Sequence, residues 1–241
     1  MRVGIFGGAF NPPHKMHKEI AIELLQKDYL DKIIYVPTGN NYNKPGLLDG
    51  KDRLNMLNLL IEGYNKECEN NLEKNVILKK ESKIKSEIKP ETKSEIKHEM
   101  NSKIEVSDFE VKGSLYTINT LKHFKEIYPN DEIYFICGTD NFAEFKTWRS
   151  YEEILKNYKL LVIARKDNNF NDIIKEYSEF AENILLANID MQFISSTMIR
   201  KEILENGFSE KLNNYLDESV IEYLKKLNLT EKWENQKIKN V

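Results

Sequence analysis

The chain has 241 residues, 40% hydrophobic and 31% charged, with a formal net charge of −3. That length suits one large domain with a sizeable core, and the near-balanced charge excludes a global basic field that would recruit nucleic acid. No apolar run approaches the roughly 20 residues that span a bilayer and no basic-then-apolar leader precedes the first strand, so the expectation is a soluble, cytoplasmic protein.

Strand and helix alternate along the chain. RVGIF (2–6) reads as a short buried strand. Residues 15–28 set Ile20, Ile22, Leu24 and Leu25 among charges, as a helix does, and KIIYVP (32–37) is a second strand closed by Pro37-Thr38-Gly39. Residues 50–66 read as the next helix, with Leu54, Leu57, Leu60 and Ile61 on one face. A helix over 117–128 leads to the strand EIYFICG (132–138), where Cys137 reads as a buried thiol. With Cys68 far away, it makes neither a disulfide framework nor a zinc knuckle. Residues 149–157 read as helical, KLLVIAR (159–165) as strand and residues around 170–181 as helix. NILLA (183–187) is a short strand, and helices over 196–206 and 217–227 follow. Short β-branched and aromatic runs between helical stretches imply βαβ units. The expected fold is α/β, an open, doubly wound, mostly parallel sheet with C-terminal helices.

One stretch breaks this pattern. Residues 79–105 are Lys, Glu and Ser with scattered Ile, and KSEIK occurs at both 85–89 and 93–97. Ile84, Ile88, Ile96 and Met100 could share a helical face, but Pro90 interrupts it. The composition reads as a solvated insertion rather than a functional arm. On either side, NVIL (75–78) and VSDFEV (106–111) read as two pieces of one region. The expected organisation is one domain over 1–230 carrying that insertion, then a polar tail at 231–241.

Two short motifs carry chemistry. In GIFGGAFNPPHKMH (4–17), a strand ending in Gly7-Gly8 lets the backbone approach a ligand closely. The helix start that follows offers unpaired N–H groups and a positive dipole end to an anion, and Pro12-Pro13 delivers the chain into helical φ. His14 and His17, at i and i+3, share a face of the first turn, where two imidazoles can donate hydrogen bonds to phosphoryl oxygens. The plainer alternative is a βα turn with two surface histidines. A zinc site lacks a third ligand nearby, and neither G-x-G-x-x-G nor the Walker A pattern occurs. In ISSTMIR (194–200), Ser195, Ser196 and Thr197 stand at a helix start, where hydroxyls satisfy orphan N–H groups that can equally bind phosphate. Arg200, three residues past Thr197, shares that face and adds a charge with bidentate geometry. Taken alone, it is equally a simple capped helix.

Together, GxFNPxHxxH and ISSTxxR resemble the nucleotidyltransferase superfamily, and in particular the nicotinate or nicotinamide mononucleotide adenylyltransferases. VPTGNNYNK (36–44) resembles the family's PTGxPPHK turn, with Lys44 at its lysine and Thr38 in the turn. KDRLNML (51–57) is similar to its R-x-x-M-L helix, with Arg53, and DFEVKGSLYTINTL (108–121) to its D-x-E…G-x-SYTxDTL stretch. FICGTDNFAEFKTW (135–148) and LVIAR (161–165) resemble its GADN…W and VxAR segments. The departures are Met16 for the glycine of H-x-G-H, Leu115 for the serine of SYT, Asn41-Tyr42-Asn43 for PPH, and Asn119 for the aspartate of DTL.

The resemblance implies a Rossmann-like nucleotidyltransferase that uses ATP, Mg2+ carried with the ATP rather than in a protein metal site, and nicotinate mononucleotide. It implies no nucleic-acid or membrane partner and leaves homo-oligomerisation open. ATP would lie along Gly7, Gly8, Ala9, Phe10 and Asn11 and against the helix start from Ile194 through Ser195, Ser196 and Thr197, with Arg165 adding charge. His14, His17, Lys44 and Arg200 would carry catalysis, the histidines at the α-phosphate and the two cations at the β- and γ-phosphates. The mononucleotide would meet Thr38, Arg53, Tyr116 and Thr117, with Gly138 and Asp140 at the end of a strand and Trp148 stacked on the pyridine ring. Asp140 would accept from a ribose hydroxyl or cap the following helix. An attacking group that is already an anionic phosphate needs no strong base, so positioning and charge stabilisation would do the work. The alternatives are nicotinamide mononucleotide, another phosphorylated acceptor, or a nucleotide-binding regulatory module without turnover.

Overall fold

The computed structural model describes residues 1–41, 46–63, 103–113, 116–164, 170–189 and 194–227, together with Leu229 and Trp233. The strands are β1 (Arg2–Gly8), β2 (Lys32–Pro37), β3 (Ile104–Val106), β4 (Glu132–Gly138), β5 (Lys159–Ile163) and β6 (Ile184–Ala187). They form one sheet in the order β3-β2-β1-β4-β5-β6, every pairing parallel. The chain runs outward from β1 to β3, then returns to place β4 on the other side of β1. The order therefore reverses between β1 and β4, and a crevice opens at their carboxyl ends, where doubly wound sheets bind ligands.

Side chains alternate across each strand and feed two cores. Val3 and Ile5 of β1, with Ile133, Phe135 and Cys137 of β4, pack under α3 (Thr117–Ile127) and α5 (Tyr151–Asn157). Phe6, Tyr134 and Ile136 face the other way, under α1 (Lys15–Gln26) and Leu57 of a helix, α2, over 50–63. Burial pushes the Cys137 thiol well up, as an inert core thiol requires. A third cluster joins Met56 and Leu60 of α2 to α7 (Ser196–Asn206) and α8 (Glu218–Lys225). Met16 packs against both this cluster and the sheet core. The side chain that departs from the family's glycine thus fills the seam between two layers.

The structure differs from the sequence reading in four places. Ile104 and Glu105, the last residues of the Lys/Glu-rich stretch, belong to β3, because Ile104 is buried against Ile33 of β2. The rest of that stretch, 79–102, lies outside the described residues. The helix expected around 170–181 is a short α6 (Phe170–Ile173) followed by 3-10 turns over Ile174–Asn183, with a non-helical Tyr177 at φ −115. The reason is a tertiary bond: the buried Tyr177 hydroxyl donates to the Phe142 carbonyl at 3.2 Å and accepts from the Lys146 N–H at 3.1 Å. The helix expected from 149 begins at Tyr151, because Ser150 turns through the left-handed region at φ 57. Finally, the polar tail contains Trp233, only 2% exposed, whose indole N–H donates to the Gly46 carbonyl at 3.0 Å.

Candidate active site

The end of β1 and the start of α1 build one wall of the crevice. Phe10 sits at φ 45, an unfavourable conformation for a bulky residue. Its ring is buried edge-on against Phe6 at 5.7 Å and Tyr35 at 5.6 Å, which holds the turn in place. The Phe10 ring therefore belongs to the core, and what the residue presents at the end of β1 is its backbone. Ile194 likewise buries its side chain, in the C-terminal cluster, just ahead of the Ser195 N-cap.

His14 is the N-cap of α1 and only 2% exposed, and His17 stands on the first turn. Their rings stack with centroids 3.7 Å apart, and His17 also meets the Phe10 ring edge-on at 4.9 Å. The His14 backbone N–H donates to Nδ1 of His17 at 3.1 Å. That bond assigns the tautomer: Nδ1 accepts, so the neutral ring carries its proton on Nε2. The Tyr35 hydroxyl donates to the His17 carbonyl at 2.8 Å and fixes the turn from below. No acidic residue occupies this first turn. Lys18, one residue on, is turned away from the crevice into a 2.7 Å ion pair with Asp217.

The start of α7 forms the adjoining wall. Ser195 is its N-cap and accepts from the Met198 N–H at 3.2 Å, as the sequence leads one to expect. Ser196 donates across to the Pro12 carbonyl at 2.8 Å. Arg200 donates to the Asn11 carbonyl at 2.9 Å and to the Thr197 hydroxyl at 3.2 Å. Asn11 is buried, and its side chain donates to the Gly46 carbonyl at 2.7 Å and accepts from the Leu48 N–H at 3.0 Å. The two sequence motifs thus meet through four residues. Burial lowers the Arg200 pKa, and among the described residues no carboxylate pairs with it. Lys44 and Arg165 lie outside the described residues.

The opposite side is aromatic. A Cβ on Gly7 would fall 2.9 Å from Phe135, so the glycine gives that ring its place. Trp148, half-buried, rests edge-on against Phe135 at 5.6 Å and tilted on Phe145 at 4.9 Å. Gly8 leaves room in turn for the Phe10 ring, 3.1 Å from where its Cβ would be. Gly138 ends β4 and caps α4 (Thr139–Ala143), so Asp140 is not the cap but an exposed residue of the first turn. Tyr116 precedes the half-buried Thr117 at the start of α3 and is 40% exposed. The Arg149 guanidinium lies over the Tyr116 ring, 4.5 Å from its centroid.

Arg53 requires the largest correction among the acceptor residues. It is fully buried, and its guanidinium donates to the carbonyls of Leu48 at 2.9 Å, Ala9 at 3.0 Å and Thr38 at 2.6 Å. A group so enclosed braces three loops and offers no surface to a ligand. Burial pushes it down to about 10, so it stays charged at neutral pH. Thr38 is part of the same brace, its N–H also donating to the Gly8 carbonyl at 2.9 Å. Sequence reasoning missed Arg149 and the buried Glu110. Glu110 is the glutamate of the D-x-E element in DFEVKGSLYTINTL (108–121), and its place between apolar Phe109 and Val111 was the signal for burial.

With this geometry in view, the family model described as cytidylyltransferase-like matches residues 5–202. A Clostridium tetani protein described as "Probable nicotinate-nucleotide adenylyltransferase" is 30% identical over 233 residues, 93% of this chain and 96% of its own. One from Caldicellulosiruptor bescii with the same description is 32% identical over 235 residues, 95% of this chain and 98% of its own. The chain belongs to the cytidylyltransferase-like family, among its nicotinate-nucleotide adenylyltransferases. The fold agrees: a Plasmodium falciparum nicotinic acid mononucleotide adenylyltransferase complexed with NaAD superposes with a TM-score of 0.70 at 22% identity, over 96% of this chain and 98% of that one. Nucleotidyltransferases of this family take ATP with a divalent metal ion. Among the described residues no group of three His, Cys, Asp or Glu side chains could cage a cation. The crevice's own charge, Arg200, is positive and suits the phosphates that would carry the ion. No helix among the described residues is long and apolar enough to cross a membrane.

Proposed function

We propose that this nucleotidyltransferase transfers the AMP moiety of ATP to nicotinate mononucleotide, giving deamido-NAD and pyrophosphate. The observation that carries the reading is the stacked His14–His17 pair set beside an Arg200 that has no carboxylate partner among the described residues. A phosphate oxygen of the mononucleotide attacks the α-phosphorus, the bond from that phosphorus to the bridging oxygen breaks, and its electrons leave with pyrophosphate. His17, a neutral Nε2–H donor held by its Nδ1 bond, steadies charge on the α-phosphate oxygens. His14 stacks behind it and sets its plane. Arg200, with Lys44 and the N-terminal turn of α7, takes the β- and γ-phosphates, and Arg165 adds charge there. Mg2+ arriving with ATP supplies neutralisation across the triphosphate. On the acceptor side Trp148 offers a face for the pyridine ring, Tyr116 and Thr117 line its edge, and Gly138 and Asp140 meet the ribose.

Pyrophosphate release from ATP, measured with nicotinate mononucleotide and nicotinamide mononucleotide in turn, tests the assignment. Faster release with the nicotinate compound is the expected outcome. Release with neither would overturn the reading and favour a nucleotide-binding module without turnover.

A further inference from the structure

Trp148, the platform proposed for the pyridine ring, has a cation on either side in FKTWR (145–149). The two have different surroundings. Lys146 is committed to its own neighbours, pairing with Glu176 at 3.1 Å and lying over the Tyr177 ring. Arg149 lies over Tyr116, 4.5 Å from the ring centroid, and among the described residues neither a hydrogen bond nor an ion pair engages its guanidinium.

The backbone around Arg149 is fixed. The Trp148 carbonyl accepts from the Tyr151 N–H at 3.2 Å, closing a turn around Arg149 and Ser150, with Ser150 in the left-handed region at φ 57. There α5 begins, the Ser150 carbonyl accepting from the Ile154 N–H at 3.0 Å. The helix packs beside α3 and is tied to it by the Lys122–Glu153 ion pair at 2.7 Å. Arg149, just ahead of α5, thereby comes over Tyr116, the N-cap of α3. The acids that follow it are engaged, Glu153 by Lys122 and Glu152 by the Tyr151 hydroxyl at 3.1 Å. The first turn of α3 holds no acid. Neither helix start therefore gives the guanidinium a carboxylate partner.

A guanidinium over a ring face is held by the π system and keeps its in-plane N–H donors for another group. A carboxylate is the planar, doubly accepting anion that matches this fork. A primary amide matches it poorly, because it offers one acceptor oxygen and its NH2 would meet further donors. The charge of the ring adds to the discrimination. Both pyridine mononucleotides carry a positive ring nitrogen, which the carboxylate of nicotinate balances and the amide of nicotinamide does not. A cation at the ring's edge attracts the first and repels the second. We propose that Arg149, held on Tyr116 beside the Trp148 platform, selects the acceptor's ring substituent, favouring a carboxylate over a neutral amide. The inference rests on the adenylyl-transfer reading for placing the ring at Trp148, and it names the side chain that sets the preference.

The test compares nicotinate mononucleotide with nicotinamide mononucleotide, as the ratio of their kcat/KM values. It is run on the full chain and on Arg149→Gln, Arg149→Lys and Lys146→Gln. Arg149→Gln should lower the ratio about tenfold, mostly through a higher KM for the nicotinate compound, the smaller effect expected of a charged hydrogen bond open to water. Arg149→Lys keeps the charge without the fork and should retain part of the preference. Raising salt should lower the wild-type ratio and leave that of Arg149→Gln unmoved. Lys146→Gln should keep the wild-type ratio. An unchanged ratio in Arg149→Gln overturns the proposal. So does an equal loss with both substrates, which would make Arg149 only a support for Tyr116, or an equal fall in Lys146→Gln, which would make the effect one of net charge. Calorimetric binding of each mononucleotide without ATP gives an arm independent of turnover. A nicotinate preference in binding that Arg149→Gln erases supports the assignment even where no pyrophosphate is released, a result that would sink the adenylyl-transfer reading alone. Where nothing is turned over, binding of neither mononucleotide, or of both without preference, overturns the role of Arg149 as well.

Discussion

On the wall formed by α1 and α7, hydrogen bonds join segments nearly the whole chain apart: Ser196 to Pro12, Arg200 to Asn11, and the Lys15 N–H to the Tyr215 carbonyl at 2.9 Å. On the aromatic side, Trp148 is held by ring packing, while Tyr116 lies under the Arg149 guanidinium and keeps 40% of its surface exposed. The difference matches the two tasks proposed for them. Charge stabilisation works through donors fixed before the reaction begins, so the phosphate wall is cross-braced. Recognition of a flat ring depends on contact area and tolerates adjustment.

The comparison can be broken where the bracing is tightest. His17→Ala should lower kcat by about 10²–10³-fold, the usual effect of removing one preorganised donor, while circular dichroism shows the fold retained. A near-normal rate would make the stacked histidines structural. Arg200→Ala should cost about 2–3 kcal/mol of transition-state binding, read as a fall of roughly 100-fold in kcat/KM for ATP with the acceptor's KM little changed. Gly7→Ala drives a methyl into Phe135 and should destabilise by about 1–3 kcal/mol in a denaturant titration. Because Phe135 supports Trp148, its kinetic effect should fall on the acceptor rather than on ATP.

Glu110→Gln sharpens the contrast from the opposite sign. The native carboxyl, raised from 4.5 to about 6, holds its proton more tightly than the unfolded chain does. The stability it contributes is full below pH 4.5 and is lost as pH rises through 6, a difference of about 2 kcal/mol. The variant should therefore be more stable than wild type at pH 7 by up to about 2 kcal/mol, and the two should converge near pH 4.5 in denaturant titrations. Trp148→Ala is the mildest: it removes ring stacking worth about 1 kcal/mol and should raise the acceptor's KM alone, by up to about tenfold.

Much of this site was legible in the order of residues. Ser195 capping α7, Arg200 sharing a face with Thr197, and the two histidines meeting on one turn all follow from spacings of three or four residues. Errors arose where distant partners decide. Arg53 read as a ligand-binding cation because nothing nearby in sequence says that Ala9 and Thr38 will converge on it. Nor does the local sequence say that the Phe10 ring packs inward on Phe6 and Tyr35. Trp233 read as tail because its partner carbonyl, Gly46, lies at the other end of the chain.

By itself the sequence determined the strands, the main helices and the two phosphate motifs, since each depends on periodicity or capping within a few residues. Only the tertiary structure decided which charges face the crevice and which are sealed behind it. The cost of burying a charge depends on the donors and acceptors that folding brings from elsewhere, and those no local window contains.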